Sequence, residues 1–209
     1  MTQSRRLELY IDVFEKQKQK ALALPTLTAP ELVEAILHEF RELEYLTQDP
    51  DHYHLNIEGQ GMLSDERPLG ELVSHGATLK LVEPDMALPR GTKQLSQPAY
   101  LRDMAESVVY RLAWQPSVIG RPDQSQGNDE WIAVDLQNHK SGLRVSRRHA
   151  RIIEANGTFM IEGMSKNPTS VRHENGGETP VGSRPVPLAS GDVIYLERAG
   201  ISLKFLTRG

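Results

Sequence analysis

Cysteine is absent from the 209 residues of the chain, which excludes a disulfide framework and any thiolate metal site and agrees with a reducing compartment. Long apolar runs are missing too. Nothing approaches the roughly 20 consecutive apolar residues that a membrane helix requires. The opening Met1-Thr2-Gln3-Ser4-Arg5-Arg6 runs into polar alternation where a signal peptide would carry an apolar stretch. A cytoplasmic protein without direct membrane insertion is therefore expected. Aromatic residues are few, at 6%, yet the hydrophobic share of 38% suffices for one large core or two small ones.

Strong basic charge is also lacking. The formal net charge is -4, and it is unevenly spread: residues 1–96 hold 10 basic and 16 acidic side chains, residues 97–209 hold 14 and 12. A broad basic face of the kind nucleic acid needs is excluded, whereas a mildly basic half with a local cluster suits a small anionic ligand. No Gly-x-Ser-x-Gly elbow, phosphate-cradling Walker loop or kinase signature set occurs. The sequence thus predicts no catalytic residue, no cofactor and no enzyme. His52 and His54 alternate on a predicted strand, as metal ligands or as exposed edge residues. With no third ligand at a recognisable spacing, exposure is expected and no metal.

Leu7 to Phe14 alternates apolar and polar side chains, the period of a strand with one buried face. Gln17 to Leu24 alternates less cleanly and ends at Pro25, as an edge hairpin partner would. Thr28-Ala29-Pro30-Glu31 combines a capping hydroxyl, an early proline and a glutamate three residues after the cap, which marks a helix start. Leu32, Val33, Ile36, Leu37 and Phe40 then share one face. Tyr53 to Ile57 and Ala77 to Glu83 supply two further strands, with Leu63 to Leu69 as the loop between them. The order strand, strand, helix, strand, strand within about 80 residues resembles the ubiquitin-like β-grasp superfamily, and among its members the non-catalytic domains of bacterial secretion systems. The last strand continues from Glu83 into Pro84 with no diglycine tail, so conjugation is not expected; nor does the chain's end, Thr207-Arg208-Gly209, supply one.

Pro84, Pro89, Gly91 and Pro98 interrupt any periodicity and predict a linker over residues 86–96 between a domain at 1–85 and a domain at 97–209. Beyond it, short apolar-patterned runs recur at Ala99–Arg102, Val108–Trp114, Trp131–Val134, Ala150–Glu154, Phe159–Glu162, Val193–Glu197 and Ile201–Leu206. Such spacing predicts an all-β sandwich.

Four landmarks punctuate these strands: Gly120-Arg121, Ser146-Arg147-Arg148-His149, Ser165-Lys166-Asn167-Pro168-Thr169 and Leu188-Ala189-Ser190-Gly191-Asp192. In that order they resemble the forkhead-associated (FHA) family, whose elements are Gly-Arg, Ser-x-x-His, Ser-x-Asn-Gly-Thr and Leu-x-x-Gly-Asp. The resemblance implies a β-sandwich that binds phosphothreonine-containing proteins downstream of a Ser/Thr kinase. By the same resemblance Arg121 and Ser146 contact the phosphate, Arg147 approaches the phosphate or the peptide, Asn167 holds the peptide main chain, and Gly120, His149 and Thr169 support the loops. Arginine offers a planar fork of donors to a dianion, and serine a hydroxyl and a backbone N–H. Two departures stand out. Pro168 replaces the family's glycine and removes a backbone donor. Lys166 stands where a small hydroxyl residue is usual, as an added cation or as a solvent-facing side chain.

Two readings of the whole follow. One is a phosphothreonine-dependent adaptor with the β-grasp domain as a second docking module. The other is a phosphorylation-independent structural component of a secretion or cell-envelope assembly. Thr92, three residues before Leu95, is in addition a candidate for phosphorylation and self-binding through a flexible linker.

Overall fold

The computed structural model describes residues 6–63, 67–123 and 129–208. The opening residues Met1 to Arg5, the loop residues Ser64, Asp65 and Glu66, and Gly209 lie outside the described residues. The chain divides into two compact units, Met1–Asp85 and Met86–Gly209.

In the first unit, strand β1 (Leu7–Val13) pairs antiparallel with β2 (Lys16–Ala23), so the alternating segments form a hairpin. Helix α1 (Ala29–Glu39) follows, with Thr28 at its N-cap and the Thr28–Glu31 capping box in place. Strands β3 (His54–Ile57) and β4 (Gly61–Met62), a short helix α2 (Leu69–Leu72) and strand β5 (Ala77–Val82) complete the unit. The sheet order is β2-β1-β5-β3-β4, with β1 and β5 parallel at the centre. Leu9, Ile11 and Val13 of β1, Leu32, Val33, Ile36 and Leu37 of α1, and Leu79 and Leu81 of β5 are buried. Each such side chain removed from water contributes about 1.5–3 kcal/mol, which anchors the amphipathic helix to the sheet. His52 does not share a strand with His54. It ends a 3-10 turn, Pro50–His52, which Pro50 favours, and pairs with Asp49 at 3.2 Å, while His54 opens β3.

The described residues of the second unit form a sandwich of eleven strands: β6 (Lys93–Asp103), β7 (Val109–Gln115), β8 (Ser117–Gly120), β9 (Ile132–Asp135), β10 (Arg148–Ala155), β11 (Thr158–Gly163), β12 (Thr169–Arg172), β13 (Glu178–Pro180), β14 (Val186–Leu188), β15 (Val193–Leu196) and β16 (Ile201–Thr207). One sheet has the order β14-β11-β10-β8-β9, the other β13-β12-β15-β16-β6-β7. A continuous core joins them, with Ile119, Val134, Ile152 and Ile161 from the first sheet and Leu101, Leu112, Val171, Ile194, Leu203 and Phe205 from the second. Phe159 of β11 and Phe205 of β16 meet across the sheets edge to face, 5.1 Å between ring centres.

The residues expected to link the units are corrected at their far end. Strand β6 starts at Lys93, inside the stretch 86–96, and Leu95 is buried in the sandwich core. Ahead of it, the Trp131 indole N–H donates to the Arg90 carbonyl at 2.9 Å, and Ser96 is tied through its N–H and hydroxyl to Glu154. Proline and glycine punctuate this segment, but the apolar surface of Leu95 outweighs their effect. Thr92 therefore sits beside a fixed strand. Offering Leu95 as an apolar handle would require withdrawing it from the sandwich core.

Candidate functional site

The site begins with a close approach of two backbones. Gly120 ends β8, and a Cβ there would stand 2.0 Å from the Arg147 carbonyl oxygen, so only glycine fits. That contact brings Arg121 under the loop ahead of β10. Its backbone N–H donates to the Arg147 carbonyl at 3.0 Å, and its Nε–H to the Val145 carbonyl at 2.7 Å. Arg121 is thus tied on both sides of Ser146, by its main chain to Arg147 and by its guanidinium to Val145. Its two Nη groups keep their N–H donors without a protein acceptor among the described residues.

Ser146 meets a third loop. Asn167 Nδ2 donates to Ser146 Oγ at 2.8 Å, and weakly to the Arg144 carbonyl at 3.5 Å. Since a lone pair of the serine oxygen is occupied by this bond, the hydroxyl proton is left to donate outward. Arg121 thus lies against the loop that carries Ser146, and Ser146 against Asn167. The backbone N–H of Ser146 does not join them. It turns inward to His149 Nδ1 at 3.3 Å, so the expectation that it faces a ligand is overturned.

His149 owes its inward position to a bulge. Arg148 pairs with Gly120 and Ala150 with Ile119, which leaves His149 as the extra residue on β10. His149 and Ala150 are consequently both buried, where regular alternation would expose one. Because Nδ1 accepts the Ser146 N–H, the ring proton sits on Nε2, 2.8 Å from Thr169 Oγ1. This bond joins the two sheets beneath the loops. Burial pushes the pKa of His149 down to about 4, and the ring is neutral at pH 7.

Arg147 and Lys166 stand at the rim. Arg147 is exposed and pairs with the buried carboxylate of Asp123 at 2.9 Å. Lys166 is exposed and has no hydrogen-bond or ion-pair partner among the described residues. Two residues that no sequence motif marked border the site and touch its side chains from outside. Asp123 draws Arg147 aside, and Arg198 Nη1 donates to Asn167 Oδ1 at 3.3 Å. Pro168 leaves the loop intact, with Asn167 N–H donating to Ser165 Oγ at 3.2 Å and the Pro168 carbonyl accepting from Glu197 N–H at 3.3 Å.

Chemically, this tip offers fixed guanidinium N–H groups, a hydroxyl donor and a carboxamide. Such a set matches a tetrahedral dianion attached to an extended chain.

One further group of candidate metal ligands exists among the described residues, Asp103, Glu106 and His139. His139 Nε2 lies 3.3 Å from Asp103 Oδ2 and 3.5 Å from Glu106 Oε1. Its Nδ1 accepts the Ser141 N–H at 3.0 Å, which places the ring proton on Nε2, facing the carboxylates. The nitrogen that a cation would need therefore carries a proton, and the trio reads as an electrostatic tie between the β6–β7 turn and the loop after β9.

Among the described residues no helix is long and apolar enough to cross a membrane. Residues 118–197 match the FHA domain family model. No curated protein matches the chain. Among solved structures, Mycobacterium tuberculosis EmbR in complex with a low-affinity phosphopeptide is 25% identical with a TM-score of 0.41, over 56% of this chain and 27% of that one. The present chain thus spans little more than a quarter of the EmbR chain. The FHA domain of human APLF in complex with an XRCC1 bisphospho peptide is 25% identical with a TM-score of 0.37, over 52% of this chain and 97% of that one. An FHA domain of an Arabidopsis thaliana protein is 21% identical with a TM-score of 0.39, over 59% and 96%. The landmarks Gly120-Arg121, Ser146 to His149 and Asn167 to Thr169 all fall inside the matched segment, and the second unit carries an FHA domain over residues 118–197.

Proposed function

We propose that the second unit binds a phosphothreonine-containing segment of a partner protein at the tip formed by Arg121, Ser146 and Asn167. One observation carries this reading: three loops that are remote in sequence bring a clamped guanidinium, a hydroxyl with its proton free and a carboxamide to one place. The phosphate takes the Nη donors of Arg121 and the hydroxyl of Ser146. The carboxamide of Asn167 keeps a lone pair on Oδ1 for a main-chain N–H of the bound segment. Arg147 and Lys166 add charge at the rim. His149, Thr169 and Gly120 hold the loops and touch no ligand.

The protein is a recognition module with no catalytic residue, acting as an adaptor downstream of a Ser/Thr kinase. In the first unit, the order β2-β1-β5-β3-β4 with a parallel central pair and one packed helix supports the β-grasp reading and a role as a second docking surface. Contacts of this shallow kind give affinities on the order of micromolar, or about 8 kcal/mol. A phosphothreonine peptide library titrated against the wild type and Arg121→Ala tests the reading. Binding that is indifferent to both the phosphate and the substitution would overturn it.

Pro168 supports a second reading, because it removes one backbone donor from the third loop. In it the tip makes phosphorylation-independent contacts within a larger assembly, such as a secretion or cell-envelope apparatus. Pull-down of the same partners before and after phosphatase treatment separates the two.

A further inference from the structure

Arg198 lies one residue beyond the segment that matches the FHA domain, on the turn between β15 and β16. The turn is held firmly. Leu196 and Ala199 are buried on either side of the arginine, and the N–H groups of Ala199 and Gly200 both close onto the Leu196 carbonyl, at 3.1 and 2.8 Å. Two bonds join it to the third loop of the site, Glu197 N–H to the Pro168 carbonyl and Arg198 Nη1 to Asn167 Oδ1. The Arg198 side chain is exposed, and Asn167 is its one partner among the described residues. One of its five N–H donors is used among the described residues.

The carboxamide of Asn167 acts as a spacer. Its Nδ2 end holds Ser146, where the phosphate is placed above, and its Oδ1 end holds Arg198. The second guanidinium therefore stands one carboxamide away from the Ser146 hydroxyl. An extended chain advances about 3.3–3.6 Å per residue, so a group roughly two residues from the phosphothreonine comes within reach of Arg198. The neighbouring cations Arg144 and Lys166 are exposed as well, whereas Glu197 is the acidic residue next to Arg198 in the turn.

We propose that Arg198 is a specificity-determining residue that binds a second anionic group of the partner, an acidic or second phosphorylated side chain within about three residues of the phosphothreonine. This rests on the phosphothreonine reading of the site. A planar fork of idle donors on a rigid turn discriminates by charge, and its bond to Asn167 keeps it in place before the ligand arrives.

The test uses the full chain and fluorescence anisotropy with three peptide sets: phosphothreonine in a neutral background, the same with one glutamate at each of the three positions on either side, and the same with a second phosphothreonine at those positions. The wild type is expected to bind at least one anionic register about tenfold more tightly than the neutral peptide. Arg198→Gln, which removes the charge and keeps an amide at the position, should abolish that preference while leaving the neutral peptide within about threefold, and Arg198→Lys should restore part of it. No preference in the wild type, or a preference that survives Arg198→Gln, overturns the inference. If the neutral peptide binds and depends on Arg121, that failure is the inference's alone. If it does not bind at all, the phosphothreonine reading fails and the inference falls with it.

Discussion

Asn167 Nδ2 lies 2.8 Å from Ser146 Oγ, a bond between the loop after β11 and the loop before β10 that turns the serine proton toward solvent. Ser146→Ala removes both a phosphate donor and the acceptor of that bond. Phosphopeptide affinity should fall about tenfold or more, since hydrogen bonds to charged groups are worth roughly 1.5–3 kcal/mol. The loops stay tied through Arg121 and His149, so thermal stability should change little. Calorimetric titration and a melting curve on the same variant check both halves of the expectation.

Gly120→Ala should act on the fold itself. The added methyl would stand 2.0 Å from the Arg147 oxygen, with the Ser146 carbonyl at 3.2 Å, and backbone cannot yield as a flexible side chain does. The cost should reach about 2 kcal/mol or more. Chemical denaturation measures it, and a variant of wild-type stability would contradict the close approach.

His149 makes stability depend on pH. Its folded pKa is lowered by burial from 6.5 to about 4, so between those values the unfolded chain binds a proton that the folded chain does not. Its contribution is fully present above about 6.5 and is lost as pH falls toward about 4. At pH 5 the loss should be about 2 kcal/mol. Urea denaturation at pH 7 and pH 5 should show this difference in the wild type and a smaller one in His149→Gln.

Much of this was legible in the amino-acid order. The alternation of β1, the Thr28 cap and the sandwich strands β6, β7, β10, β11 and β16 each follow from local chemistry with a large apolar signal. Gly120, Arg121, Ser146 and Asn167 were marked by motifs that, in their order, resemble those of the FHA family. The direction of the Ser146 N–H was not, because it depends on a bulge that moves His149 inward, and a bulge leaves no periodic trace. Asp123 and Arg198 were missed for another reason. Each is a charged residue on a loop, of the kind that usually faces water, and only the fold sets it against Arg147 or Asn167. Strands β12 to β14 are three or four residues long, too short for a period to show.

Asp123 should restrain the site. Its carboxylate holds Arg147 at 2.9 Å and offsets the charge that would otherwise face the phosphate. Asp123→Asn should raise phosphopeptide affinity about three- to tenfold at low salt, with the gain shrinking as salt is added. Titrations at two ionic strengths check it, and a loss of affinity would assign the pair a role in shaping the loop.

The most direct measurement is isothermal titration of the full chain with one phosphothreonine peptide and its unphosphorylated twin, for the wild type and for Arg121→Ala. The account predicts micromolar binding that vanishes without the phosphate and weakens at least about tenfold without the guanidinium. Equal binding of both peptides, or an Arg121→Ala variant as tight as the wild type, would contradict it.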